Sequence, residues 1–258
     1  MRLKKGALTL SCFSLIILTM ACKSNSENTG ATQSVDVASV LKRADELYAG
    51  RNDLGRVREA ISLLRNTEGA QEKGYDVAWR LAQFNFYLSE NSKVDSEREN
   101  ALADGINAGR AATALQPEKP EGHFWLGANL GRKAETGGVL AGVSTVSEIR
   151  REMEAVVKLN DRYMGGSAYL ALGQLDLQVP AFLGGDRARA VQYLEKGVKV
   201  DDDNPRMQVM LAKAYLAAGR KEDARRVAEG VLKMTPDPNY VPEFNKAASE
   251  ARSLLEKL

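Results

Sequence analysis

The chain has 258 residues, with 36 Lys and Arg against 34 Asp and Glu, one histidine and two cysteines. So even a balance, with no clustered basic segment, excludes the electrostatic footprint of a nucleic-acid binder. The single histidine, His123, excludes a multi-histidine zinc site, and nothing in the composition implies a metal or a cofactor.

The first segment, MRLKKG, carries Arg2, Lys4 and Lys5 and no acid, and an apolar run follows from Ala7 to Ala21. A basic start and a short apolar stretch define a signal peptide over residues 1–21. The run is shorter than the ~20 apolar residues of a comfortable membrane span. It ends in Leu18-Thr19-Met20-Ala21-Cys22. A small residue before a cysteine at this place resembles the bacterial lipobox, although the usual leucine position is held by Thr19. The resemblance implies lipid attachment at Cys22; ordinary signal cleavage beside an incidental cysteine is the plain alternative. Residues 22–36 then form a polar, flexible tether. Lys23 after the cysteine gives no inner-membrane retention signal, so the expected location is the periplasmic side of the bacterial envelope, with the outer membrane favoured. Removing the leader takes three basic residues and leaves the charge near zero. It also removes Cys12, so no intramolecular disulfide can form and stability must come from a buried core.

From Val37 to the end, helical signals dominate and period-two alternation is missing. The expected fold is all-α: stacked antiparallel helix pairs over residues 37–258, a tetratricopeptide-like solenoid with a C-terminal capping helix. The first pair is read at about Val37–Tyr48 and Leu54–Arg65. The second is read at Asp76–Glu90 and about Ser96–Leu115, closed by Pro117. The third is read at Glu121–Lys133 and Ser147–Tyr163, with the glycine-rich ETGGVLAGVSTVS as a link and Thr145 and Glu148 as a capping box. A looser fourth unit carries Leu172, Gly173, Ala190, Leu194 and Gly197. It has Asp176 where an aromatic is expected, and the insertion QVPAFLGGD before a helix capped by Asp186.

The clearest unit is NPRMQVMLAKAYLAAGRKEDARRVAEGVLKMTPD. Asn204 caps it, Pro205 takes the first helical position, Gly219 ends the first helix, and Ala224, Ala228 and Val231 line the second. It fits the 34-residue tetratricopeptide pattern at each key position. Val241, Phe244, Ala248, Ala251, Leu255 and Leu258 then form one apolar stripe, suited to closing the stack.

Three local patterns with catalytic or binding associations read as structure. Gly137 to Gly142 has the first spacing of a phosphate-binding loop, but Val143 stands where lysine is needed. Asp201-Asp202-Asp203-Asn204 lacks the alternation, glycine and distal glutamate of a calcium loop, and reads as a turn with a helix cap. A hydrolase needs a base beside its nucleophile, and His123 is the one histidine available. The chain is therefore read as a non-enzyme.

The block from Gly122 to Asp186 contains GHFWLGANLGR and later LNDRYMGGSAYLALGQLDLQVPAFLGGD. At Trp125, Gly127, Asn129, Gly131, Gly173, Pro180, Gly185 and Asp186 it resembles the T-component family of tripartite ATP-independent periplasmic transporters. A second resemblance is to the eukaryotic regulators of microtubule dynamics, through the FWLG-type helix and the Pro-to-Gly-Gly-Asp insertion. The first resemblance implies an all-helical lipoprotein that associates with a periplasmic solute-binding protein and encloses a ligand channel on homo-oligomerising. The candidate partner- or ligand-binding residues are His123, Trp125, Asn129, Arg132 and Tyr169. Trp125 and Asn129 share a helix face at a spacing of four, either in a ligand-facing cleft or as core. Two other functions remain open: a carrier of an apolar small molecule in a helical cavity, and an envelope assembly scaffold.

Overall fold

Eleven α-helices account for most of the described chain. The computed structural model describes residues 36–67, 74–136, 138–238 and 240–258; the expected signal peptide, the expected lipid attachment at Cys22 and most of the expected tether lie outside them. The helices are α1 (Val37–Ala49), α2 (Leu54–Arg65), α3 (Tyr75–Asn91), α4 (Asp95–Leu115), α5 (Pro120–Thr136) and α6 (Gly138–Leu159). They continue with α7 (Ser167–Gln178), α8 (Arg187–Val200), α9 (Pro205–Ala217), α10 (Lys221–Val231) and α11 (Val241–Leu255). No described helix is long and apolar enough to cross a membrane.

Consecutive helices pack as the pairs α1/α2, α3/α4, α5/α6, α7/α8 and α9/α10, and α11 lies on α9 and α10. No pair buries its apolar face alone, so the core is shared between neighbours. Leu47, Val57, Leu64 and Phe84 join the first pair to α3. Trp125, Leu130, Met153, Val156 and Leu172 fill the centre. Leu194, Met207 and Leu211 join α8 to α9, and Val209, Val231, Ala251 and Leu254 seat the last helix. Each such large side chain contributes about 1.5–3 kcal/mol on burial. The outward faces of α1 and α11 are polar and exposed, at Lys42, Arg43 and Glu46 on one and at Glu243, Lys246 and Arg252 on the other. The stack therefore ends at both sides instead of propagating.

The helix starts follow local chemistry. Asp36, Asp53, Asp186 and Asn204 each accept a hydrogen bond from a backbone N–H in the first turn of their helix. Pro205 follows Asn204 at a position where no N–H is needed. Gly219, at φ +78, takes the left-handed conformation that ends α9.

One element departs from the sequence reading. The glycine-rich stretch expected as a link is helix: α6 begins at Gly138, and Thr145 and Glu148 lie inside it instead of capping it. Val139, Val143, Val146, Ile149, Met153 and Val156 repeat at threes and fours, which is one continuous helical stripe. The burial of Ile149, Met153 and Val156 outweighs the ~1 kcal/mol that a helix-interior glycine costs. The repeat is also longer than 34 residues over most of the chain. Arg58 to Glu97, Arg65 to Asp104 and Glu154 to Tyr193 bond across neighbouring units at separations of 39, and Arg110 to Glu148 at 38.

Candidate functional site

The first helices of the pairs, α3, α5, α7 and α9, form one side of the stack, and their continuity breaks once. α5 packs on α3, and α7 packs on α9, but α7 does not pack closely on α5; α6 lies between them as their shared neighbour. The turn after α6 produces the offset. Met164, Gly165 and Gly166 adopt φ of 51, 63 and 72 in succession, and the last of them caps α7. Two glycines take this left-handed region without steric cost, and the chain is redirected within three residues.

The break opens a cleft of about 750 Å³. One wall is α5, through Phe124, Trp125, Gly127, Ala128, Gly131 and Arg132. The facing wall is α7, through Ser167, Leu170, Ala171, Gln174, Leu175 and Gln178. Val146, Ile149 and Met153 of α6 form the floor. Phe86 and Glu90 of α3, Pro180 and Leu183 after α7, and Arg206 of α9 complete the lining. An aromatic chain runs along one edge. Phe86 to Trp125 measures 5.8 Å between ring centroids, Trp125 to Phe124 5.0 Å, and Phe124 to Tyr163 5.3 Å. These are edge and tilted contacts of the favourable kind.

The rim is polar. Arg132 Nε lies 2.5 Å from a Glu90 carboxylate oxygen and its Nη1 3.3 Å from Glu135. Glu135 in turn accepts from Gln174 Nε2 at 3.5 Å, so a polar string spans α3, α5 and α7. Arg206 differs from Arg132, because it makes no ion pair among the described residues.

The insertion beside the cleft is fixed by a buried charge. The Asp176 side chain is fully buried and accepts from Arg150 Nη2 at 2.7 Å, Arg189 Nε at 2.7 Å and Arg189 Nη2 at 2.6 Å. Both arginines also donate to the Gly184 carbonyl, at 3.2 and 2.7 Å. Burial pushes the Asp176 carboxyl up, but the bonds from Arg189 and Arg150 outweigh it and hold the group below its ordinary value. An aspartate in the aromatic position of the repeat thus leaves the packing intact. It ties α6, α7 and α8 to the loop that borders the cleft.

The five candidate residues divide between two environments. Trp125 and Arg132 line the cleft. Asn129 is fully buried behind it, where Nδ2 donates to the Ala82 carbonyl at 3.0 Å and to the Trp125 carbonyl at 2.7 Å. That bond pins α5 to α3. Its Oδ1 faces Gly105, where a Cβ would approach to 2.2 Å, so glycine is required there. Tyr169 turns away from the cleft to Tyr193, at 6.5 Å between rings. His123 lies outside as well, with Nδ1 2.6 Å from Glu152 and Nε2 2.9 Å from the Pro117 carbonyl. A carbonyl and a carboxylate only accept, so the doubly protonated ring satisfies both. Glu152 is accordingly the leading cause that raises the imidazole above its ordinary 6.5, against the opposing effect of burial.

Sequence reasoning did not single out Phe86, Met153, Ala171, Gln174 or Arg206. A signal was available on α5, where Gly127, Ala128, Gly131 and Ala134 place small residues along one helix face.

The paired helices and their cleft define a repeat protein of the tetratricopeptide class. A tetratricopeptide-repeat family model matches residues 181–241. A solved thermophilic tetratricopeptide protein of Thermus thermophilus shares the fold with a TM-score of 0.59 at 18% identity, over 84% of this chain and 98% of its own. The model of the family described as regulator of microtubule dynamics protein 1-3 matches residues 40–179, more than half of the chain, and the chain belongs to that family. The second of the two resemblances in the central block is thus the one that the family match bears out. Regulator of microtubule dynamics protein 3 of Rattus norvegicus is 23% identical over 238 residues, 86% of this chain and 50% of the relative. The Mus musculus protein is 23% identical over 236 residues, 85% and 49%. The chain spans about half the length of these curated relatives.

Proposed function

We propose that this protein is a non-catalytic, lipid-anchored binding protein of the bacterial envelope, and that the cleft between α5 and α7 receives an apolar segment of a partner protein. The observation that carries the reading is the break in the helix stack: a cleft walled by Trp125, Phe124 and Leu170, with Arg132, Glu135, Gln174 and Arg206 also in its lining. A recognition site combines an apolar body with a few placed polar groups. The leader and Cys22 support the anchor. His123 is engaged by Glu152 and Pro117 outside the cleft, which supports a role in stability over one in catalysis. In its narrower form the partner is a periplasmic solute-binding protein, the association that the T-component resemblance implies.

A second reading has its own support. A volume of about 750 Å³ lies within the range of small-molecule sites, so an apolar molecule could be the occupant. Affinity purification of the lipoprotein from native envelopes, read by crosslinking and by native mass spectrometry, separates the two. One periplasmic protein is the expected product. A stoichiometric organic molecule without a protein would replace the first reading with the carrier. Neither one would contradict both.

A further inference from the structure

Among the described residues the most exposed large apolar side chain is Phe182, at 85% exposure, on the segment between α7 and α8. Pro180 and Ala181 beside it are exposed as well. The segment is braced from within. Ala181–Leu183 form a single 3-10 turn, and the N–H groups of Leu183 and Gly185 donate to the Pro180 carbonyl at 2.9 and 3.2 Å. A Cβ on Gly185 would lie 1.7 Å from the Val179 carbonyl oxygen, so glycine is required there. Arg150 and Arg189, both bound to the buried Asp176, hold the Gly184 carbonyl from beneath. Burying the Asp176 charge is costly, yet the bracing covers no part of the Phe182 ring. An aromatic group held in water on a fixed turn has little conformational freedom left to lose when it enters an apolar phase.

The charges around this tip are uneven. A hollow of about 310 Å³ lies against Leu183 and Gly184, with Ser147, Arg150, Arg151 and Glu154 also in its lining. The nearby acids are engaged by the protein: Asp186 accepts from the N–H groups of Ala188 and Arg189, and Glu154 from the Tyr193 hydroxyl at 2.8 Å. Arg151 bonds Glu152 at 2.7 Å but leaves most of its side chain exposed. Arg187, exposed in the first turn of α8, makes no ion pair among the described residues. We propose that this tip docks on an anionic lipid bilayer, with Phe182 entering the acyl boundary and Arg151 and Arg187 meeting lipid phosphates beside it. An aromatic ring at the interface with arginines at headgroup level is a membrane-binding chemistry, and the guanidinium fork matches phosphate. A protein interface rings its aromatic anchor with packing that excludes water, and here only Pro180 and Ala181 accompany the ring. The contact depends neither on an occupant of the cleft nor on lipid at Cys22.

The test places a photo-crosslinking phenylalanine analogue at position 182 of the full chain, or at position 196 on the exposed face of α8 as the control. Each protein is irradiated with vesicles of phosphatidylcholine, alone or mixed with phosphatidylglycerol, and lipid adducts are read by mass spectrometry. An adduct is expected from 182 and none from 196, with the higher yield on the mixed vesicles. Arg187→Glu should cut that yield at least about fivefold, because reversing a cation forfeits its attraction to an anionic surface. Its melting temperature should stay equal or rise, since an acid suits the first turn of a helix, so a lost adduct would not reflect unfolding. No lipid adduct from 182, or equal yields from 182 and 196, would overturn the docking site. Equal yields on both vesicle types, unchanged by Arg187→Glu, would overturn the choice of an anionic surface. A protein adduct from 182 in native envelopes, with none to lipid, would overturn the proposal by assigning the tip to a protein partner.

Discussion

At the scale of single residues, two charges do different work. Asp176 is an anion without solvent, and Arg150 and Arg189 make its burial tolerable. Removing one partner of such a cluster leaves the others uncompensated. Asp176→Ala should therefore cost about 3–5 kcal/mol in chemical denaturation; a loss below about 1 kcal/mol would mean that water replaces the carboxylate. His123 makes stability depend on pH in the opposite sense from a carboxylate. Its folded value is raised, so its contribution is complete below the ordinary 6.5 and is lost as pH rises through the folded value. The parent should thus lose more stability on going from pH 6 to alkaline pH than His123→Gln does. Parallel profiles would show that the Glu152 contact contributes nothing. Neither role was legible in the sequence. Asp176 reads there as a misfit in the repeat pattern, because Arg150 is 26 residues away and meets it only after α6 and α7 have packed. Asn129 was legible in part: its spacing from Trp125 placed it on one face, but whether that face is cleft or core depends on α3 supplying the Ala82 carbonyl.

At the scale of elements, helices were legible wherever capping and periodicity agreed. Asn204 with Pro205, and Asp186 before α8, cap as their sequence positions suggest. Asn204→Ala should lower stability by about 1 kcal/mol and fray the start of α9, detectable as faster amide exchange at Met207, whose N–H the cap accepts at 3.1 Å. Unchanged exchange there would show that the cap is redundant. α6 was misjudged because glycine content and apolar periodicity conflicted. The periodicity prevailed, since its stripe continues into Ile149, Met153 and Val156, which the core buries at 4, 2 and 0% exposure. The longer helix also explains why central units exceed the 34-residue pattern that fits α9 and α10 so closely.

At the scale of the whole molecule, the decisive feature is a departure from regular stacking. Pattern reading delivers the pairs and the last helix that closes the stack, because every unit repeats the same burial problem. It does not deliver the cleft, which arises where α6 and the left-handed turn at 164–166 keep α7 off α5. The match to the regulator of microtubule dynamics family runs from α1 through α7 and so includes the break and both walls of the cleft, and the tetratricopeptide match begins at 181, beyond the break. The central claim is that binding occurs in this cleft. It is tested most directly by placing a photo-crosslinking residue singly at Gln174, on the cleft wall, and at Lys196, on the exposed face of α8, and irradiating the protein in its native envelope. The account predicts a discrete crosslinked product from position 174 and none from position 196. A product from position 196 with none from 174 would contradict it and move the binding surface to the opposite side of the stack.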